Sequence, residues 1–225
     1  MAKYGNMKRK NEICAMSILV PAATNMEIAP FIADNKGVDI LVTGVGIPAA
    51  IYHIQKKLAI NKYDFIVQAG IAGAFTSATE LGDVVIAGKD TFGDIGMEEN
   101  ASFTPIFQSG FMDKNEFPFT DGWLINNNLL LQLCSLPIVS AITVNKVSDS
   151  AIQKQQSANN FNAQIESMEG AALHYVCLQE HVPFIQLRSI SNYVGERDKS
   201  KWKMKASIKN LNEALQNLIQ TILTN

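Results

Sequence analysis

Six β-rich runs punctuate the chain, at 13–22, 38–43, 64–70, 83–89, 138–144 and 184–191, and none alternates strictly between polar and apolar residues. A strand with one face in water alternates. A strand buried on both faces does not, and its sheet needs helices on each side. Stretches of helical period fill the intervals at 26–34, 49–59, 122–135, 151–159, 169–180 and 199–223. This β-α order predicts an α/β fold: a single three-layer α-β-α domain around a mixed, mostly parallel central sheet. The last stretch repeats apolar residues at Ile208, Leu211, Leu215, Leu218, Ile219 and Ile222, a stripe that faces the sheet. The segment 83–121 breaks the rhythm, running from strand-like sequence into Gly, Asp, Glu, Phe and Pro. A β-hairpin followed by a long functional loop is expected there.

Composition narrows the class. The 225 residues are 47% hydrophobic and 18% charged, enough to build one sizeable core. No run is apolar for the roughly 18 residues that a membrane span requires. Nineteen basic residues stand against 21 acidic ones, which argues against a nucleic-acid partner. Arg9, Arg188 and Arg197 are the only arginines, so a cluster of guanidinium forks around a phosphate is hard to assemble. Cys14, Cys134 and Cys177 sit in apolar contexts without CxxC spacing, the pattern of three buried thiols in a cytoplasmic protein rather than of disulfides or a metal site. Residues 1–12 form an expected flexible extension with no apolar core of a signal peptide, ahead of a domain at 13–225.

Two glycine segments invite a ligand. Gly44-Val45-Gly46-Ile47-Pro48-Ala49 matches a loose dinucleotide-binding pattern, but the acid about 20 residues on, Asp64, precedes its strand instead of ending it. A tight strand-to-helix turn is the favoured reading. Gln68-Ala69-Gly70-Ile71-Ala72-Gly73-Ala74 closes a strongly apolar strand, at the sheet edge where open α/β folds bind ligands. There a plain turn and a ligand contact weigh equally.

Three polar residues follow buried runs: Glu27, Glu169 and Asn192. Singly, the glutamates read as first-turn carboxylates and the asparagine as a turn former. Together with VQAGIAGA at 67–74, ESMEGAA at 166–172 and LRSISN at 187–192, they resemble the nucleoside phosphorylase and nucleosidase family over most of the chain. The resemblance implies a nucleoside bound at the carboxyl edge of the sheet, with no cofactor and no metal. It implies that Glu27 orients and deprotonates an attacking water. Glu169 and the Met168 backbone would hold the ribose, and Asn192 would support the departing base. Gly70, Ile71, Ala72, Gly73, Val147, Ser167, Met168 and Arg197 are the implied substrate contacts. Ile71 stands where several relatives carry Ser. A homodimer is implied too, the loop after Asp83 of one subunit closing the site of the other.

Departures from the family pattern narrow the chemistry. Its phosphorylases carry an arginine beside the central glycine loop, where this chain has Ile66-Val67-Gln68-Ala69, so water rather than phosphate is the expected nucleophile. Its adenosine-type nucleosidases carry Asp at the position of Asn192. Asn192 within 191–198, and the segment 91–99, resemble instead the branch that releases hypoxanthine. A 6-oxopurine presents acceptors at O6 and N7, which a carboxamide NH2 can serve and a carboxylate repels. Mispairing a buried polar group costs about 1–3 kcal/mol, a discrimination of about tenfold to a hundredfold. That branch's substrate has an aromatic carboxylate tail. Phe92, Phe103 and Phe107 can cover such a tail or pack in the core, and Arg197 can grip it or pair with Glu196 or Asp198. A methylthioadenosine or adenosylhomocysteine nucleosidase, a purine nucleoside phosphorylase and a silent nucleoside-binding module are the rival readings. His53, His174 and His181 lack ligand spacing, and Trp202 and Met204 read as the start of an amphipathic helix.

Overall fold

In β1 (Ile18–Ala22) every residue is buried, yet neighbours go to different layers. Ile18, Val20 and Ala22 pack with Ile28 and Phe31 of α1 (Asn25–Asp34) and with Leu211, Leu215 and Leu218 of α5 (Met204–Thr224). Leu19 packs with Ile54 of α2 (Ile47–Ile60) and with Leu173 and Val176 of α4 (Gly170–Gln179). Helices on both faces explain the missing polar alternation. The computed structural model describes residues 16–34 and 37–224. The expected 1–12 extension, residues 13–15 and Cys14 lie outside them.

The sheet is completed by β2 (Asp39–Val42), β3 (Phe65–Ala74), β4 (Val84–Asp90), β7 (Leu124–Ile125), β8 (Ile138–Thr143), β9 (Ile165–Ser167) and β10 (Phe184–Tyr193). It is mixed and mostly parallel, with β10–β4, β3–β9 and β4–β7 antiparallel. Along one edge β3 changes partner: Phe65 and Ile66 pair with β1, whereas Gly73 and Ala74 pair with β9. Its other edge pairs with β10 throughout. The circuit β3-β10-β4-β8-β9 therefore closes on itself. Its filling is small-residue rich, with Ala72, Ala74, Val85, Ala87, Val139, Ala141, Ile165 and Ile190 in one cluster.

Several expectations are corrected. The glycine segment 70–73 is no turn, because β3 runs straight through it. Residues 122–135 form β7 and a short 3-10 turn at Leu129–Leu133 in place of a helix. The buried Asn126 donates to the carbonyl of Phe184, and Leu124 is fully buried against α4 side chains, so tertiary bonds override helical period. The 3-residue β9 lies outside the six expected runs; with Ile165 its only apolar residue, it leaves no period to read. The hairpin in the irregular segment is β5 (Gly96–Glu99) with β6 (Ser102–Pro105), beyond β4, followed by the long loop. The 199–223 helix begins only at Met204, after a 3-10 turn at Lys199–Lys201, because the Lys203 N–H donates to Ser191 O of β10. Cys134 is half-buried rather than buried, while Cys177 is buried. Among the described residues no helix is long and apolar enough to cross a membrane.

The α5 stripe sets a stability test. Leu215 is 0% exposed and Leu223 is 46% exposed. Leu215→Ala is expected to cost about 2–5 kcal/mol in urea unfolding, and Leu223→Ala no more than about 0.5 kcal/mol. Equal losses would mean that the stripe is not what seats the helix.

Candidate active site

Where β3 leaves β1 and has not yet met β9, its edge has no strand partner, and the Ile71 N–H there donates to Glu27 Oε1 at 3.2 Å. Glu27 is the third residue of α1, and its Oε2 accepts the N–H and hydroxyl of Thr24, each at 2.9 Å. A glutamate reaching back to the residue before its helix is a common helix-start device. One oxygen of Glu27 thus serves the helix while the other reaches across to the sheet.

Glu169 occupies the N-cap position of α4, yet its side chain makes no capping bond. The free amides of that helix are met elsewhere: Gly170 N–H donates to Ser167 Oγ at 3.2 Å and Ala171 N–H to Thr143 Oγ1 at 2.7 Å. Thr143 in turn donates to the buried Asp90, 3.0 Å away. Glu169 is left to swing toward α2, where its Oε1 accepts the Gly46 N–H at 2.9 Å. Burial pushes the Glu169 carboxyl above the usual range, the Arg188 guanidinium and the Gly46 and Met168 amides pull it down, and the Glu27 charge raises it.

Arg188, on β10 in register with Gly70, is 1% exposed and donates to Gln68 Oε1 at 2.5 Å. A Cβ on Gly70 would stand 1.9 Å from Arg188 Nη1 and 3.3 Å from Glu27 Oε1, so glycine makes room for the guanidinium. Asn192 pairs in register with Gly73, which pairs on its other side with Glu166. The Ser191 hydroxyl donates to Asn192 Oδ1 at 2.8 Å, and Asn192 Nδ2 donates to Tyr193 O at 3.0 Å. The second N–H of that carboxamide remains available above Gly73.

These groups share one cleft of about 350 Å³, lined by Glu27, Glu169, Asn192, Ile71, Ala72, Gly73, Val147, Ser167, Met168 and Glu166, and also by Met26, Val45, Arg197, Lys199 and Trp202. A sequence model of the Phosphorylase superfamily matches residues 27–224, which takes in this cleft from Glu27 onward. The chain belongs to the Phosphorylase superfamily. It is 29% identical to the futalosine hydrolase of Thermus thermophilus over 182 residues, 80% of each chain. It is also 29% identical to the 5′-methylthioadenosine/S-adenosylhomocysteine nucleosidase of Shewanella baltica over 192 residues, covering 80% of this chain and 79% of the relative. The solved futalosine hydrolase of Helicobacter pylori shares the fold with a TM-score of 0.76 at 17% identity, over 92% of this chain and 98% of that one.

Set within that superfamily, the expected residues fall out unevenly. Glu27, Glu169 and Asn192 meet in the cleft together with every implied contact except Gly70, which lies buried beneath it as the space for Arg188. Phe92 and Phe107 pack with Phe119 in the core and do not cover the cleft; Phe103 lines an adjoining cavity of about 260 Å³. Glu196 pairs with Lys201 at 2.7 Å, which leaves Arg197 stacked over Trp202, 5.9 Å from the ring centroid. On sequence Arg188 counts only as one of three arginines, Gly46 as part of a turn, Glu166 as part of a motif and Trp202 as the start of a helix. An arginine within an apolar strand run was the available signal for the first. The others acquire their place only through pairing.

Asp90 offers a test of the support beneath Glu169. Desolvation raises its carboxyl from 3.8 to about 7. Between those values the folded protein keeps a proton that the unfolded chain has lost, so this group's contribution favours unfolding as pH rises. The melting temperature of wild type is expected to fall more steeply between pH 4 and pH 7 than that of Asp90→Asn. Parallel curves would place the proton elsewhere.

Proposed function

We propose that this superfamily member is a nucleosidase that hydrolyses the N-glycosidic bond of futalosine, a menaquinone-pathway nucleoside, and releases hypoxanthine. The observation that carries the reading is the convergence of Glu27, Glu169 and the open N–H of Asn192 in one cleft. Cleavage of a glycosidic bond passes through an oxocarbenium-like cation. Glu27, anchored through three donors, orients the attacking water and takes its proton, a role that typically contributes about 10²–10⁴ in rate. Glu169 binds the ribose hydroxyls with its remaining acceptors and stabilises the cation. Phosphate is disfavoured as nucleophile, since Arg188 is sequestered by Gln68 beneath two carboxylates that would repel it.

The base end favours a 6-oxopurine. Asn192 offers a donor, and Glu166, across Gly73, offers a carboxyl raised to about 7 by desolvation and the nearby Asp94 charge. Hypoxanthine presents an acceptor at O6 beside a donor at N1–H, matching an amide donor next to Glu166 in its ionised form, which prevails above about pH 7. Adenine presents the reverse. Other lining residues favour the futalosine tail, a carboxyphenyl group. Met26, Val45 and Trp202 supply apolar surface, and Arg197 and Lys199 have no carboxylate within ion-pair distance among the described residues. The equally similar methylthioadenosine nucleosidase supports adenine release as the second reading.

Chromatography of the free base after incubation with futalosine, inosine and methylthioadenosine, each with and without phosphate, decides among these. Hypoxanthine from futalosine, independent of phosphate and faster than from inosine, is the expected result. Dominant adenine release from methylthioadenosine would overturn it. Glu27→Gln and Glu169→Gln should each lower turnover by about 10²-fold or more; a near-wild-type rate reassigns that residue. Asn192→Asp should move base preference about tenfold toward 6-amino nucleosides, and an unmoved ratio would remove Asn192 from base recognition.

A further inference from the structure

The helix that carries Glu27 is weak where it matters. Pro30 stands inside α1, lacks an N–H and crowds the carbonyl of the preceding turn. One position further on, the Phe31 N–H and the Glu27 C=O are the pair that a regular helix would join to each other. A side chain from another helix engages both. The Phe31 N–H donates to Asn212 Oδ1 at 2.9 Å, and Asn212 Nδ2 donates to Glu27 O at 2.8 Å. The second Nδ2 proton goes to Ile208 O at 2.6 Å. These bonds determine the orientation of the carboxamide, because turning it over would set donor against donor and acceptor against acceptor.

Asn212 is 3% exposed, inside a stripe otherwise built from Leu211, Leu215, Leu218, Ile219 and Ile222. A leucine would serve that stripe better for stability alone, since a buried carboxamide is favourable only when fully bonded. Its two partners on α1 lie 181 and 185 positions away in the chain, at the Phe31 amide and the Glu27 carbonyl. The same helix reaches the base end of the cleft, where Ser207 Oγ donates to Ile190 O at 2.7 Å, two residues before Asn192.

We infer that Asn212 is a positioning residue for Glu27: it clamps the weakened turn of α1 so that the carboxylate stays aimed at the fork of β3. The inference rests on the hydrolytic reading of Glu27. With futalosine as substrate, Asn212→Leu should lower kcat by about tenfold to a hundredfold with little change in KM, the scale of a misplaced catalytic group. In a Glu27→Gln background the same substitution should change kcat by less than about twofold, because residues acting through one another are not additive. Asn212→Asp keeps the acceptor for Phe31 but turns a charge on Glu27 O. Its kcat should be low at alkaline pH and recover as acid protonates the carboxyl and restores a donor. A wild-type kcat in Asn212→Leu well below its melting temperature, an undiminished loss in the Glu27→Gln background, or a wild-type pH profile in Asn212→Asp overturns the inference. Should wild type release no base from any of the three nucleosides, the functional reading fails by itself. The clamp is then read from amide exchange at Phe31 and the carboxyl 13C shift of labelled Glu27: faster exchange and a moved shift in Asn212→Leu support it, and unchanged spectra sink it.

Discussion

A guanidinium without water around it requires compensation, and Arg188 receives it from a group of residues that no short sequence window contains. A buried charge is tolerated only with hydrogen bonds and opposite charge close by. Gln68 accepts from it directly, and its field lowers the carboxyl affinities of both Glu169 and Asp90 for protons. Gly70 has no side chain because the guanidinium occupies that volume. Removal of Arg188 would take the nearby positive charge from both Glu169 and Asp90. The buried cation thus offsets part of the carboxylate charge that lines the cleft.

Economy at the helix starts follows from the same crowding. Glu27 ties α1 to Thr24 with one oxygen and to β3 with the other. Glu169 shows the opposite solution, its capping duty passed to Ser167 and Thr143 while its carboxylate turns to Gly46. The Glu27 arrangement depends on the forked edge of β3, which exposes unpaired backbone between its β1 and β9 pairings. Ligand sites in α/β folds gather where strand order changes in this way.

Much of this was legible before any coordinates. The six runs mark six of the strands; in five of them burial on two faces leaves a continuous apolar signature, whereas β2 lies at the sheet edge with none of Asp39–Val42 buried. Glu27, Glu169 and Asn192 stood out by following such runs. What misled were segments whose conformation is imposed from outside. The period at 122–135 is helical, but Asn126 bonding to β10 and Leu124 packing on α4 hold it as strand and turn. The glycines of β3 mimic a turn because their actual reason, the volumes of Arg188 and Val194, comes from β10 and the residue just after it. Trp202 sits in helix-like sequence, yet Lys203 bonding to Ser191 delays the helix and leaves the indole beside Arg197.

The chain by itself determined the layer order, the inward stripes and the identity of the polar residues that end the strands, since these follow from local period and from which side chains avoid water. Tertiary structure alone decided the closure of five strands into a ring, the burial of Arg188 under two glutamates, the bond from Gly46 to Glu169 and the grasp of Asn212 on α1. Each of those joins groups far apart in the chain, and the energy that selects them, desolvation balanced by hydrogen bonding, exists only once the intervening water has gone.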